Sequence, residues 1–196
     1  QKYGTKSFAE VVAPAIEYAD GFPIAEEFAG MLKGYQPMLS LWPASKAFYY
    51  PNGTIPMKGD MVHMPSLAKT LRDLAAAEKK TRGNRVKKLQ AVRDLFYTGS
   101  IAKRIDAFSK ENGGLLAYED LKNFHAEADE PKSTTFMGYE VHKPGFWTQG
   151  PVMVEALNIL EGFDLKAMGH NSPQYLHTVI EAVKLAFADR DRYYGD

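Results

Sequence analysis

Apolar residues recur three and four positions apart over much of the chain, the spacing that lines one face of an α-helix. The first such pattern opens at Ser7-Phe8-Ala9-Glu10, a capping box in which hydroxyl and carboxylate satisfy orphan backbone donors. It continues through Val11, Val12, Ala15, Ile16 and Ala19 to about Asp20. Pro14 is expected to bend this helix, Gly21 to stop it in the left-handed conformation, and Pro23 to open a second short helix over residues 24–32. From 34 to 64 the chain carries Pro37, Pro43, Pro51 and Pro56, which predicts irregular structure with at most short strands near 47–50. Asn52-Gly53 is the strongest turn signal there. Asn52-Gly53-Thr54 also fits a glycosylation acceptor, but Asn-Gly already has a backbone reason to be present.

Leu67, Leu71 and Leu74 mark a helix starting at Pro65-Ser66. Ile101, Ile105 and Phe108 mark another, ended by Asn112-Gly113-Gly114, and a short one follows around 118–124. The pattern then changes: residues 133–136 and 138–142 read as two strands around a turn. Gly150-Pro151 opens a helix in which Glu155, Asn158 and Glu161 form a narrow polar stripe. Val152, Met153, Val154, Ala156, Leu157, Ile159, Leu160 and Phe163 cover nearly everything else, so this helix is expected to be buried between layers. Ser172-Pro173, an N-cap followed by Pro at the first helical position, starts a last helix expected to face Leu176, Val179, Ile180, Val183 and Phe187 inward. The predicted class is α+β, mostly helical with a strand hairpin near 133–143. A helical part, 1–130, precedes a part, 131–196, of hairpin plus two buried helices.

Composition narrows the chemistry. With 45% hydrophobic and 24% charged residues in 196, the chain belongs with ordinary folded domains rather than disordered segments or coiled-coil rods. Lys+Arg and Asp+Glu both number 24, so no net field steers it to nucleic acid or anionic lipid. The absence of Cys excludes disulfides, thiol catalysis, Cys-bound zinc and iron–sulfur clusters. No apolar run reaches the roughly 18 residues of a membrane helix, so no membrane span is expected. The chain opens at Gln1 without an initiator Met or signal peptide and stops just after a helical stretch, which reads as a piece of something longer.

No pair among His63, His125, His142, His170 and His177 has the i, i+4 spacing that aims two imidazoles at one metal, so no metal site is expected. His177 and Glu181 share a helical face, as ordinary surface pairs do. Asp189, Asp191 and Asp196 cluster near the end with Arg190 and Arg192, and the alternating signs over 188–192 suit salt bridges better than acid–base work or a hard cation. The basic segment 79–88 lacks the interleaved aromatics that nucleic-acid binding requires, and no nucleic-acid partner is expected. Neither a phosphate-cradling glycine loop nor a Gly-x-Ser-x-Gly elbow is present. Thr134, Thr135 and Thr148 remain as hydroxyls. A Thr hydroxyl needs an adjacent base, most simply its own α-amino group at a chain start, and none of these stands at one.

Several segments, taken in order, resemble the γ-glutamyltranspeptidase family. They are Lys2-Tyr3-Gly4-Thr5, Pro14-Ala15-Ile16-Glu17-Tyr18-Ala19 with Gly21-Phe22-Pro23, Phe96-Tyr97-Thr98-Gly99-Ser100-Ile101-Ala102, and Asn112-Gly113-Gly114-Leu115 with Glu119-Asp120-Leu121. Gly138-Tyr139-Glu140-Val141, Leu157-Asn158-Ile159-Leu160-Glu161, Ala186-Phe187-Ala188-Asp189-Arg190 and Tyr194-Gly195-Asp196 look like the closing half of that family's large subunit. The resemblance implies an N-terminal-nucleophile hydrolase with an αββα sandwich, made as a precursor that cuts itself into large and small subunits. It also implies a γ-glutamyl or related acyl substrate, no cofactor, and a Thr nucleophile on the small subunit, outside this chain. No catalytic residue of the family falls on this fragment, which alone is expected to be inactive, and the resemblance leans towards a periplasmic or secreted setting. Where the family has a Pro-rich stretch and Ser-Ser-Gly-Gly, this chain has Lys143-Pro144-Gly145-Phe146-Trp147-Thr148-Gln149-Gly150-Pro151, which suggests the divergent, acylase-like branch. Trp147 and Gln149 are candidate substrate-binding residues, while Phe146 and Trp147 serve equally well as core plugs. The competing reading is a stand-alone helical interaction module using 79–88.

Overall fold

The computed structural model describes residues 3–194, the side chain of Asn52 excepted. The chain divides into two compact units, Gln1–Phe124 and His125–Asp196. In the first, Ser7 opens helix α1 (Phe8–Asp20) as its spacing predicts: Glu10 N–H donates to Ser7 Oγ at 3.2 Å and Ser7 N–H to Glu10 Oε2 at 2.9 Å. The helix continues through Pro14. Gly21, however, is extended at φ 162 rather than left-handed. Glycine is required there because a Cβ would lie 2.8 Å from Cε1 of His63, whose Nδ1 sits 2.5 Å from the Asp20 carbonyl.

Pro23 opens no helix. Strand β1 (Phe22–Pro23) pairs antiparallel with β2 (Met61–Val62), and helix α2 (Glu26–Leu39) begins only afterwards, running through Gly34 and Pro37. Residues 47–50 are not strand either, because they close helix α3 (Pro43–Tyr49), which Pro43 starts at a position that needs no N–H donor. Tertiary packing overrides local preference here. Ile24, Ala29, Leu32 and Tyr50 form a buried cluster, and the Tyr50 hydroxyl donates to the Leu32 carbonyl at 2.6 Å, tying the end of α3 back to α2. A 3₁₀ turn, Pro51–Gly53, follows with Gly53 left-handed at φ +76, as Asn-Gly predicts.

Helices α4 (Pro65–Lys80), α5 (Arg85–Tyr97), α6 (Ser100–Glu111) and α7 (Tyr118–Asn123) pack in sequence, with α1 lying along α4. Leu74, Val92 and Ile101 are buried between them, with Phe8, Leu95, Phe96 and Ile105 around. Helix α5 lies where the sequence showed only a basic segment. Its N-cap is Asn84, whose Oδ1 accepts from Lys87 N–H at 3.0 Å. Glu78, near the end of α4, is only 6% exposed: its carboxylate accepts from the N–H groups of Phe8 and Ala9, both at 2.9 Å, and so caps α1 from another helix.

The second unit carries the strand hairpin, β3 (Lys132–Phe136) with β4 (Tyr139–Lys143), in register Thr134 opposite Val141 and Phe136 opposite Tyr139. Its two-residue turn is Met137-Gly138, left-handed at both positions with φ +50 and +83, the pattern of a type I′ turn. Helix α8 (Gly150–Leu160) packs on the hairpin and on α10 (Pro173–Tyr193), which is preceded by the single turn α9 (Leu165–Met168). The polar stripe on α8 is fully employed. Glu155 accepts from the Tyr194 hydroxyl, Asn158 Oδ1 from the Thr134 hydroxyl, and Glu161 Oε2 from Met137 N–H at 3.0 Å.

Burial of α8 is one-sided: Val152, Ala156 and Leu160 are buried, whereas Met153 is 45% exposed. Helix α10 corrects the sequence reading. Its packed face is Val179, Ala182 and Ala186, while Leu176, Ile180, Val183 and Phe187 form an exposed stripe. Two apolar stripes share this helix, and within this chain the small-residue one is used, because alanine lets α8 approach closely.

Candidate functional site

The segment joining β4 to α8 is folded on itself. The N–H and hydroxyl of Thr148 both donate to the Gly145 carbonyl at 3.0 Å, and Gly150 N–H donates to Thr148 Oγ1 at 2.9 Å. Gly150 is buried so close to the preceding chain that a Cβ would lie 2.1 Å from the Pro144 carbonyl oxygen. This tight return aims the two candidate residues apart. Trp147 is 74% exposed and its indole N–H donates to Asp129 Oδ2 at 2.9 Å. It walls a hollow of about 470 Å³ shared with Glu127, Glu130, His142 and Lys143. Gln149 borders a different, apolar hollow of about 340 Å³ between α8 and α10, lined by Val152, Ala156, Val183 and Phe187.

Of the two aromatics weighed as core plugs, Phe146 packs edge-on against Tyr194, centroids 5.0 Å apart, with the Lys132 ammonium 5.7 Å from its ring. Trp147 plugs no core among the described residues. Asp129 was missed by the sequence reading: it lies 18 residues from its partner, and its only signal is the acidic run Glu127-Ala128-Asp129-Glu130. The Tyr194 hydroxyl, held by the Glu155 carboxylate and partly desolvated, is pushed up to about 12.

Several of the remaining candidates have structural partners. Thr134 bonds Asn158, and Thr135 is an exposed strand residue. Glu181 pairs with Lys184 at 2.8 Å instead of orienting His177, and the Lys184 hydrogen bond holds its carboxyl below the usual range. Arg190 pairs with Asp191 at 3.2 Å, while Asp196 lies outside the described residues. Among the described residues no group of three His, Asp or Glu is placed to hold a metal ion. Among the described residues no helix is long and apolar enough to cross a membrane. The basic segment 79–88 spans the end of α4 and the start of α5, and Arg85 Nε and Nη2 donate to the Lys6 carbonyl at 3.2 and 3.1 Å.

The gamma-glutamyltranspeptidase family model matches residues 1–196. The chain belongs to the γ-glutamyltranspeptidase family. It is 36% identical over 198 residues to a glutathione hydrolase proenzyme of Escherichia coli K12, covering 100% of this chain and 32% of that protein. Its fold superposes on a γ-glutamyltranspeptidase of Helicobacter pylori with TM-score 0.86 at 28% identity, covering 100% of this chain and 53% of that one. A cephalosporin acylase from Bacillus halodurans gives TM-score 0.83 at 32% identity, covering 98% and 34%. The α+β class, mostly helical with a small hairpin, is therefore that of these enzymes. The chain spans about a third of the length of the curated relatives it matches.

Proposed function

We propose that the complete protein is a γ-glutamyltranspeptidase-like amide hydrolase or acyl transferase in which this chain is large-subunit scaffold. The observation that carries the reading is the end-to-end family match. The nucleophile is then a Thr beginning the small subunit. Its hydroxyl attacks the acyl carbon, its α-amino group takes the proton and returns it to the leaving amine, and backbone N–H groups stabilise the oxyanion. The proenzyme form of the relatives supports a precursor that cleaves itself. The exposed stripe Leu176, Ile180, Val183 and Phe187 supplies an apolar face suited to the small subunit within an αββα sandwich.

The loop Lys143–Pro151 differs from the family's Pro-rich pattern, which favours a donor other than glutathione and assigns Trp147 and Gln149 to substrate choice. The complete gene product should release the aniline from a chromogenic γ-glutamyl anilide or from an acyl anilide, while residues 1–196 alone should not. Turnover by 1–196 alone overturns the scaffold role. Failure of the complete product on both anilides, with salt-sensitive retention on heparin, would return the choice to the interaction module built on 79–88.

A further inference from the structure

Phe136, Leu157, Leu160, Leu165 and Val179 wall a hollow of about 450 Å³ in the second unit, within the size range of small-molecule pockets. Its polar lining is confined to Lys166, His170 and Tyr175. Lys166 and His170 are exposed and Tyr175 half-buried, which puts the polar groups at the solvent end of an apolar cleft. These groups are deliberately placed. Asp164 Oδ1 caps α9 by accepting from Ala167 N–H at 2.9 Å, Gly169 and Asn171 turn the chain with φ +78 and +58, and His170 then packs on Tyr175 with centroids 5.6 Å apart.

Among the described residues Lys166 is the one charged side chain that lines this hollow. Lys166 has no ion pair among the described residues, and Glu161 and Asp164, which accept from Met137 N–H and Ala167 N–H, border the adjoining smaller hollow instead. A second, independent observation concerns Met137. It holds a left-handed backbone, φ +50, at a hairpin position where Asn or Gly sits without strain, and its flexible thioether side chain lines this same hollow.

From this arrangement we propose that the hollow binds a small monocarboxylate with an apolar tail, the tail lying against Leu157, Leu160 and Met137 and the carboxylate facing Lys166 and the His170–Tyr175 pair. The inference stands apart from the proposed acyl transfer. It is tested on the complete protein, labelled at methionine methyl groups and titrated with sodium octanoate, with octylamine as the opposite-charge comparator. Octanoate should shift the Met137 methyl resonance, identified by its loss in Met137→Asn, saturably at millimolar concentration, and octylamine should not. Lys166→Glu should weaken octanoate about tenfold, the worth of one ion pair of about 1.4 kcal/mol. Met137→Asn, with octanoate binding read by titration calorimetry, should weaken it while leaving the hairpin at least as stable. An unmoved Met137 resonance, which is also the result if other polypeptide fills the hollow, overturns the proposal. So does equal binding of octylamine, or an affinity that Lys166→Glu leaves unchanged.

Discussion

Glu78 offers the sharpest test of how the first unit is held. Its carboxylate receives the first two N–H groups of α1, Phe8 and Ala9, at 2.9 Å each, from a helix some seventy positions away in sequence, in a setting only 6% exposed. Hydrogen bonds to a charged group contribute about 1.5–3 kcal/mol each, and an orphaned buried donor costs about 1–3 kcal/mol. Glu78→Ala should therefore destabilise the protein by about 3–5 kcal/mol, since two part-buried N–H groups lose a charged acceptor at once. Glu78→Gln should cost about half as much, because its carbonyl still accepts one N–H while its amide group opposes the other. Denaturant unfolding of the complete protein gives the global effect, and hydrogen exchange of a peptide covering residues 6–12 gives the local one. Exchange at Phe8 and Ala9 should accelerate about a hundredfold for a loss near 3 kcal/mol. The capping assignment is refuted if Ala and Gln cost the same, or if protection at α1 survives either change.

Gly150→Ala places a methyl 2.1 Å from the Pro144 carbonyl oxygen and should cost about 3 kcal/mol, read as a lowered melting temperature with a shifted Trp147 emission. Tyr194, raised from 10.0 to about 12, favours its protonated form when folded, so its contribution is complete below pH 10 and lost as pH rises through about 12. Tyr194→Phe should remove that part of the alkaline decline in the denaturation midpoint. Trp147→Ala, at a side chain 74% exposed, should leave stability within about 0.5 kcal/mol yet change the ratio of kcat/KM between γ-glutamyl and other acyl donors in the complete enzyme. A uniform change across donors would exclude Trp147 from substrate choice.

Local chemistry made the helix starts at Ser7 and Ser172 legible, as it did the turn at Gly53 and the hairpin, because each is specified by neighbours a few residues away. What misled was tertiary. Gly34 and Pro37 argued for a break that the Tyr50–Leu32 bond and the surrounding cluster override, and the aromatic run Phe48-Tyr49-Tyr50 imitated a strand while closing a helix. Helix α5 was hidden because the charges of 79–88 drew the eye from Asn84 and the Val92–Phe96 spacing. Periodicity located α10 but not its packed side, since a helix with two apolar stripes does not say which one this chain covers. Of the candidate loop, the residues were legible and their divergence into two hollows was not. That depends on the approach of Gly150 to Pro144, which no spacing encodes.

The three bonds from Glu155, Asn158 and Glu161 run to three different partners: the end of α10, a strand, and the hairpin tip. Slipping α8 by one residue would swing it by about 100° and sever all three at once. Three separate partners thus fix the azimuth of this helix. Whatever polypeptide meets its far side finds Met153 and its neighbours at one fixed angle, already aligned before contact.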